Sequence, residues 1–396
     1  MVGTAVESPI KIPSPLVGGD ECVSSIDFRV FLGQSPRWGR PKVFIRHDCL
    51  DVASLALQRS FRIWTDFEEA LLIEGLNLMS WKTALKISIT VILLGSLAYH
   101  LDLEKLLKAV ISMKLRFLLL AGVTQFILLL VAVLRWRILL RVFSMRQPYR
   151  KLLKITFVGS FFSLFLPSSI GGDFFRAYYV SKATRVSLPQ ALVTTFLDRG
   201  AGLFSLLLIG LVAALCNPLQ LGQVELRYVF IALLSVFLLA NLALFHNRTH
   251  RTLGHILDRL GMIEYKDRLR LIFSGLEALY GSAGSIARVV GLSLIIQGLS
   301  VVTVWLLAQG LGITASFNPY LVFVPLINLS IMVPLTINGF GLREYLYTVF
   351  FSELGVIPET AVALGLLSAF VLVLVSLPGG IIYSLSKTDF VSKDGP

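Results

Sequence analysis

The sequence predicts an all-α polytopic membrane protein built from two inverted repeats, with roughly six full spans and, in each repeat, one segment broken by Gly and Pro. Three observations carry this reading. With 55% hydrophobic and only 15% charged residues and a mean hydropathy of +0.78, the chain is too apolar for a soluble protein; about a quarter of a soluble protein's residues are charged. Two distant stretches, SLFLPSSIGGDFFRAY (163–178) and SIMVPLTINGFGLREY (330–345), align without gaps at Ser163/Ser330, Pro167/Pro334, Ile170/Ile337, Gly172/Gly339, Arg176/Arg343 and Tyr178/Tyr345, with Ser169 opposite Thr336. Finally, Lys and Arg gather at the ends of apolar runs, as the positive-inside rule expects.

Residues 1–78 hold 8 Lys/Arg against 10 Asp/Glu, so the remaining 28 against 14 make residues 79–396 the basic part. That first stretch has no long apolar run and carries Pro9, Pro13, Pro15, Pro36 and Pro41. It lacks the order of a signal peptide and is too acidic for a transit peptide. Met79 directly precedes a positive and then apolar start, so 1–78 reads as a disordered or dispensable extension and 79–396 as the transmembrane domain.

Residues 84–99 form the first span, with Lys82 and Lys86 at an inside entrance. Residues 101–113 are amphipathic and suit the outer membrane surface. Residues 117–134 span back to a cluster of Arg135, Arg137, Arg141, Arg146, Arg150, Lys151 and Lys154, which marks the cytoplasmic side. The apolar run 155–167 would be roughly 20 Å of helix, against about 30 Å of hydrocarbon, and cannot cross alone. A short helix over 174–180 and then Lys182 and Arg185 follow it. Two readings stand: a re-entrant hairpin from the cytoplasm, or one Pro-kinked span.

Residues 191–215 span outward and 228–245 return; the basic loop 246–285 is cytoplasmic. Residues 289–311 span outward again, 319–334 are too short to cross comfortably, and the chain breaks at Asn338-Gly339-Phe340-Gly341 before resuming over 342–351. The last span is 361–383, with Lys387 inside. Repeat 1 thus covers about 84–215 and repeat 2 about 228–386. On this count the first break follows an inward span and the second an outward one, so the repeats are inverted and the breaks approach the midplane from opposite faces.

Unpaired backbone is costly in hydrocarbon, so the breaks must line a cavity or be buried in protein. Gly171 and Gly172 allow the turn, Ser168 and Ser169 supply hydroxyls, and Asp173 can cap the helix that follows. That helix's N-terminus and Arg176 together make an anion site. In repeat 2, Asn338 can cap, Gly339 and Gly341 turn, and Arg343 stands beside Glu344. Asp198 and Arg199 lie two turns into the next span. Intramembrane charges need a reason. Mutual neutralisation between helices is one; recognition of a lipid phosphate, whose geometry an Arg fork matches, is the other. The small residues of the breaks can equally serve close helix packing, and Gln125 and Gln297 suit interhelical hydrogen bonds.

Cys22, Cys49 and Cys216 are scattered, and His246/His250 is the sole ligand-like His pair, in a basic solvated loop. No metal or cofactor is expected, nor nucleic-acid binding, since the basic residues flank spans. No P-loop or nucleophile-His constellation appears, so an enzyme is not the leading reading.

PSSIGGDFFR, the following segment with Asp198-Arg199, and PLTINGFGLRE resemble the flippase-like transmembrane region of lysylphosphatidylglycerol synthase and its stand-alone homologues, over roughly 84–386. The resemblance implies a membrane protein that translocates or presents a phospholipid or other phosphate-bearing lipid. The few residues after Ser386 lead us to expect a stand-alone member, so synthase activity is not carried over. The alternative function is a membrane subunit of a lipid or polyprenyl-phosphate glycosyl- or aminoacyl-transfer pathway, with a lipid-modifying enzyme as partner; a lipid-organising protein is a third. The expected ligand is a membrane lipid with an anionic head group. The expected location is a prokaryotic cytoplasmic membrane with both termini inside.

Because residues 1–78 show no buried face, a chain starting at Met79 should insert and melt like the full chain. Lower expression or a lower Tm would show that the extension is needed. Single-cysteine labelling near Arg251 should be blocked from outside the cell, and external labelling there would overturn the orientation.

Overall fold

The computed structural model of the chain describes residues 81–165, 171–216, 219–245, 281–333 and 335–390, all within one compact unit. The expected extension, the serines Ser168 and Ser169, Pro167 and Pro334, and most of the 246–285 loop lie outside them. Among the described residues are α1 (Trp81–His100), α2 (Leu103–Ile111), α3 (Leu115–Val142), α4 (Tyr149–Phe165), α5 (Gly171–Thr184) and α6 (Leu188–Cys216). A two-residue hairpin, β1 (Gln220–Leu221) with β2 (Val224–Glu225), turns the chain into α7 (Leu226–Phe245). Then come α8 (Ala283–Gly310), α9 (Asn318–Met332), α10 (Leu342–Ser352), α11 (Pro358–Ser376) and α12 (Pro378–Phe390).

The protein is thus an all-α membrane protein. α3, α6, α8 and the continuous stretch Pro358–Leu385 are each long and apolar enough to cross a bilayer, and α1 turns by 94° into α2. α7 and α9 are shorter apolar helices. Each expected span coincides with a helix, but α3 continues past its expected end at residue 134 to Val142. Arg135 is therefore part of the bundle interior and not of a cytoplasmic cluster.

Two pairs of helices end alike. α3 ends on Ser144 (φ 61°) with the Met145 N–H reaching back to Leu140 O, and α8 ends on Gly312 (φ 80°) with Ile313 N–H on Ala308 O. α5 ends on Arg185 (φ 55°) with Val186 N–H on Ser181 O, and α10 ends on Gly355 (φ 71°) with Val356 N–H on Phe351 O. In each, a left-handed residue stops the helix and an apolar residue follows it, the usual way of satisfying the last carbonyls. α3 and α8 form the most extensive helix pair and run antiparallel. Lys114 N–H meets Gly310 O at one end, while Leu139 and Val289 share a cluster at the other.

Both broken segments fold back as hairpins. Gln147, just before α4, donates to Ala183 O in the last turn of α5 (3.1 Å), and Phe162 stacks on Phe175 (4.2 Å). In the second, Tyr320 and Phe323 at the start of α9 meet Phe350 and Phe351 at the end of α10 (5.2–5.9 Å). Of the two readings of the first break, the hairpin is the one that these contacts match. Each hairpin has its own core: Trp136, Leu152, Ile155 and Val180 around the first, Phe230, Leu307, Phe323 and Phe351 around the second.

α12 crosses α4 so closely that a Cβ on Gly379 would lie 2.0 Å from Phe157 O, whereas one on Gly298 in α8 meets nothing within 4 Å. Gly379→Ala should therefore destabilise by about 1–3 kcal/mol. Gly298→Ala should be neutral or slightly stabilising, because Ala is the better helix former. Melting temperatures of the two purified variants check the contrast.

Candidate functional site

Gly172 brings the first hairpin's arms together. A Cβ there would stand 2.5 Å from Gly159 O, and one on Gly159 would stand 2.8 Å from Gly172 O and from Arg176 Cγ. Close packing is thus the visible role of Gly172, and it lays the Arg176 side chain across Gly159. Gly171 is the first residue of α5. Asp173 does not act as the expected cap of a helix starting at residue 174: it lies inside the first turn of α5 and accepts from Arg176 Nη1 (3.0 Å) and from Arg199 Nε.

Asp198, on α6, is the centre of the cluster, with only 4% of its side chain exposed. Its Oδ1 accepts from Arg135 Nε at 2.7 Å and its Oδ2 from Arg176 Nη1 and Nη2 at 3.4 Å. Arg135 Nη1 donates on to Ser293 Oγ on α8 (3.0 Å), and the Ser293 hydroxyl donates to Val289 O. Trp136 lies under the Arg176 guanidinium (4.2 Å), its indole N–H on Thr194 Oγ1 (3.3 Å). A lone buried carboxylate would be costly, and these two arginines replace the water it has lost. Among the described residues the cluster holds three arginines and two aspartates. Arg176 Nε is buried and has no hydrogen-bond partner among the described residues. Arg199 is the most open member, with 32% of its side chain exposed.

The second break is built differently. Asn338 (φ 53°), Gly339 (φ 78°) and Gly341 (φ 80°) take left-handed conformations that make the turn. Asn338 does not cap its own helix, as expected; Gly341 is the N-cap, and Glu344 reaches back to accept its N–H (2.7 Å). The Asn338 amide instead donates to Ser163 O (2.8 Å) and Leu164 O (3.1 Å), the carbonyls that end α4. The turn of the second hairpin therefore touches the end of α4. Arg343 Nη2 approaches Asn338 O (3.5 Å), and no carboxylate among the described residues pairs with it. Glu344 is fully buried, packed where a Gly365 Cβ would meet its Cγ at 3.3 Å, and faces α11. α1 braces this break: Thr90 Oγ1 accepts the Ile337 N–H (3.1 Å), and Leu93 and Leu94 cover Gly341.

The structure thus brings together Arg176, Asp173, Asp198 and Arg199, and sets Asn338 against the end of α4. Glu344 is placed as a helix cap. Arg135, Trp136, Thr194 and Ser293 were not anticipated as site residues. An arginine inside an otherwise apolar helical run was the available signal for Arg135; the partners on α6 and α8 had none. Gln297 makes the expected interhelical bond, to Gly202 O (3.1 Å). No group of three or more His, Cys, Asp or Glu suited to a metal occurs among the described residues.

The arrangement as a whole is a second-hairpin turn set against the end of α4, with a cluster of three arginines and two aspartates on α3, α5 and α6. Comparison with known proteins places it in a family. The family model for the lysylphosphatidylglycerol synthase TM region matches residues 83–379. A UPF0104 membrane protein of Methanothermobacter thermautotrophicus is 26% identical over 272 residues, covering 62% of this chain and 78% of that one. A second UPF0104 membrane protein, from Methanocaldococcus jannaschii, is 22% identical over 332 residues, covering 79% of this chain and 98% of its own length. The chain belongs to the family defined by the lysylphosphatidylglycerol synthase transmembrane region.

Proposed function

We propose that this protein carries a lipid with a phosphate-bearing head group between leaflets, the head group passing the contact between the turn of the second hairpin and the end of α4. The observation that supports this most is the part-buried cluster of Arg135, Arg176 and Arg199 around Asp173 and Asp198, in which the buried Arg176 Nε has no hydrogen-bond partner among the described residues and is the donor left for an entering anion. An Arg fork matches a phosphate in geometry as well as charge. Arg343, beside Asn338 at that contact, is the second phosphate ligand, so that a head group leaving one arginine finds the other. The antiparallel course of α3 and α8 and the approach of the hairpins from opposite ends support inverted repeats, the architecture that places a site where half-helices meet. The basic end faces the cytoplasm in this reading, with both termini on that side.

The two arginines separate binding from folding. Arg176 is tied to two aspartates, so Arg176→Gln removes a partner from a buried ion cluster and lowers stability together with transport. Arg343 has no such tie. Arg343→Gln should leave the Tm unchanged and cut head-group movement in proteoliposomes about tenfold, the equivalent of one charge-assisted hydrogen bond. Unchanged movement in Arg343→Gln would remove Arg343 from the pathway. For Arg176→Gln, recovery of both Tm and transport on adding Asp198→Asn would reduce its role to charge balance.

A further inference from the structure

The two ends of the bundle carry different charge. The turn from α3 into α4 and the turn from α5 into α6 are joined by the Gln147 to Ala183 bond. The start of α8 lies at the same end, because Val289 packs with Leu139, Val193 and Leu197. Here Arg141, Arg146, Arg150, Lys182, Arg185 and Arg288 are exposed, and no carboxylate whose side chain is described stands among them. At the other end Asp102, Glu104 and Glu225 pair with Lys105, Lys108 and Arg227 at 2.5–3.4 Å. Like charges gathered at one end repel one another, and anions from outside relieve that repulsion.

An aromatic stripe leads into this end. On α5, Phe174 stacks on Tyr178 (6.4 Å), and Lys182 Nζ lies 5.7 Å over the Tyr178 ring, three residues at helical spacing. Tyr178 is 37% exposed. Exposed Tyr beside Lys at the end of apolar helices is the arrangement found at the level of lipid head groups.

We infer that this end is a docking surface for the anionic phospholipids of the adjoining leaflet, with Arg146, Arg150, Lys182 and Arg185 as its main contacts. α3, α6 and α8 all terminate here, which sets the exposed cations at the membrane interface, where anionic head groups form a continuous surface. The inference concerns equilibrium binding and does not depend on transport.

The test uses the full chain reconstituted in phosphatidylcholine bilayers with trace spin-labelled phosphatidylglycerol or phosphatidylcholine, reading the motionally restricted lipid by electron paramagnetic resonance. Wild-type protein should restrict phosphatidylglycerol in preference, and salt should erase the preference. Each neutralised cation should weaken it by up to ~fivefold. In Arg146→Gln/Arg150→Gln/Lys182→Gln/Arg185→Gln it should be gone, while the corresponding Lys replacements of the three arginines keep it. Lys105→Gln/Lys108→Gln, at the other end, should not change it. The inference fails if wild type shows no salt-sensitive preference, if the two ends contribute equally, or if an RNA oligonucleotide or acidic peptide displaces phosphatidylglycerol at physiological salt. The salt titration needs no variant, so misfolding of the quadruple substitution cannot obscure the result.

Discussion

A helix broken inside hydrocarbon leaves carbonyls without partners, and no water is present to take them. That constraint governs this architecture. α4 ends inside the body, and its terminal carbonyls at Ser163 and Leu164 are met by an amide from the opposite half of the chain, that of Asn338. Asn338 can reach them because it sits in a left-handed conformation, rare outside glycine but tolerated by Asn. The second break in turn gives its Ile337 N–H to Thr90 on α1. Each break is completed by a part of the chain remote in sequence, so neither hairpin is self-sufficient.

Charge follows the same logic. Asp198 is as deeply buried as many apolar core residues, and it draws Arg135 from α3 and Arg176 from α5 onto one carboxylate. Through Ser293 the network reaches α8, so that the long antiparallel helix pair at the centre is bound into the same cluster as the first hairpin. Buried charge of this kind contributes more to a fixed arrangement than to net stability.

The class of the protein and the positions of its helices were legible because apolar runs and their basic ends are local signals. So were the two breaks, since Pro and Gly announce themselves in any apolar run and here recur at one spacing. Arg176, Asp173, Asp198 and Arg199 were singled out on charge alone, and they converge. What sequence could not convey was which partner each group takes. Asn338 and Asp173 looked like caps for their own helices because capping is a local rule; long-range partners, Ser163 for one and Arg199 for the other, prevailed. Arg135 looked like a boundary marker because six further basic residues follow it, and only its burial on α3 against Asp198 and Ser293 distinguishes it from them.

The antiparallel course of α3 and α8 has one more consequence. Two long apolar helices that run in opposite senses offer nearly the same apolar profile whichever way up the pair enters the bilayer, so neither their length nor their hydropathy gives the pair a preferred orientation. What distinguishes one end from the other is the set of arginines and lysines at its turns. By the positive-inside rule it is such basic turns, and not the apolar helices, that bias which way up a chain inserts.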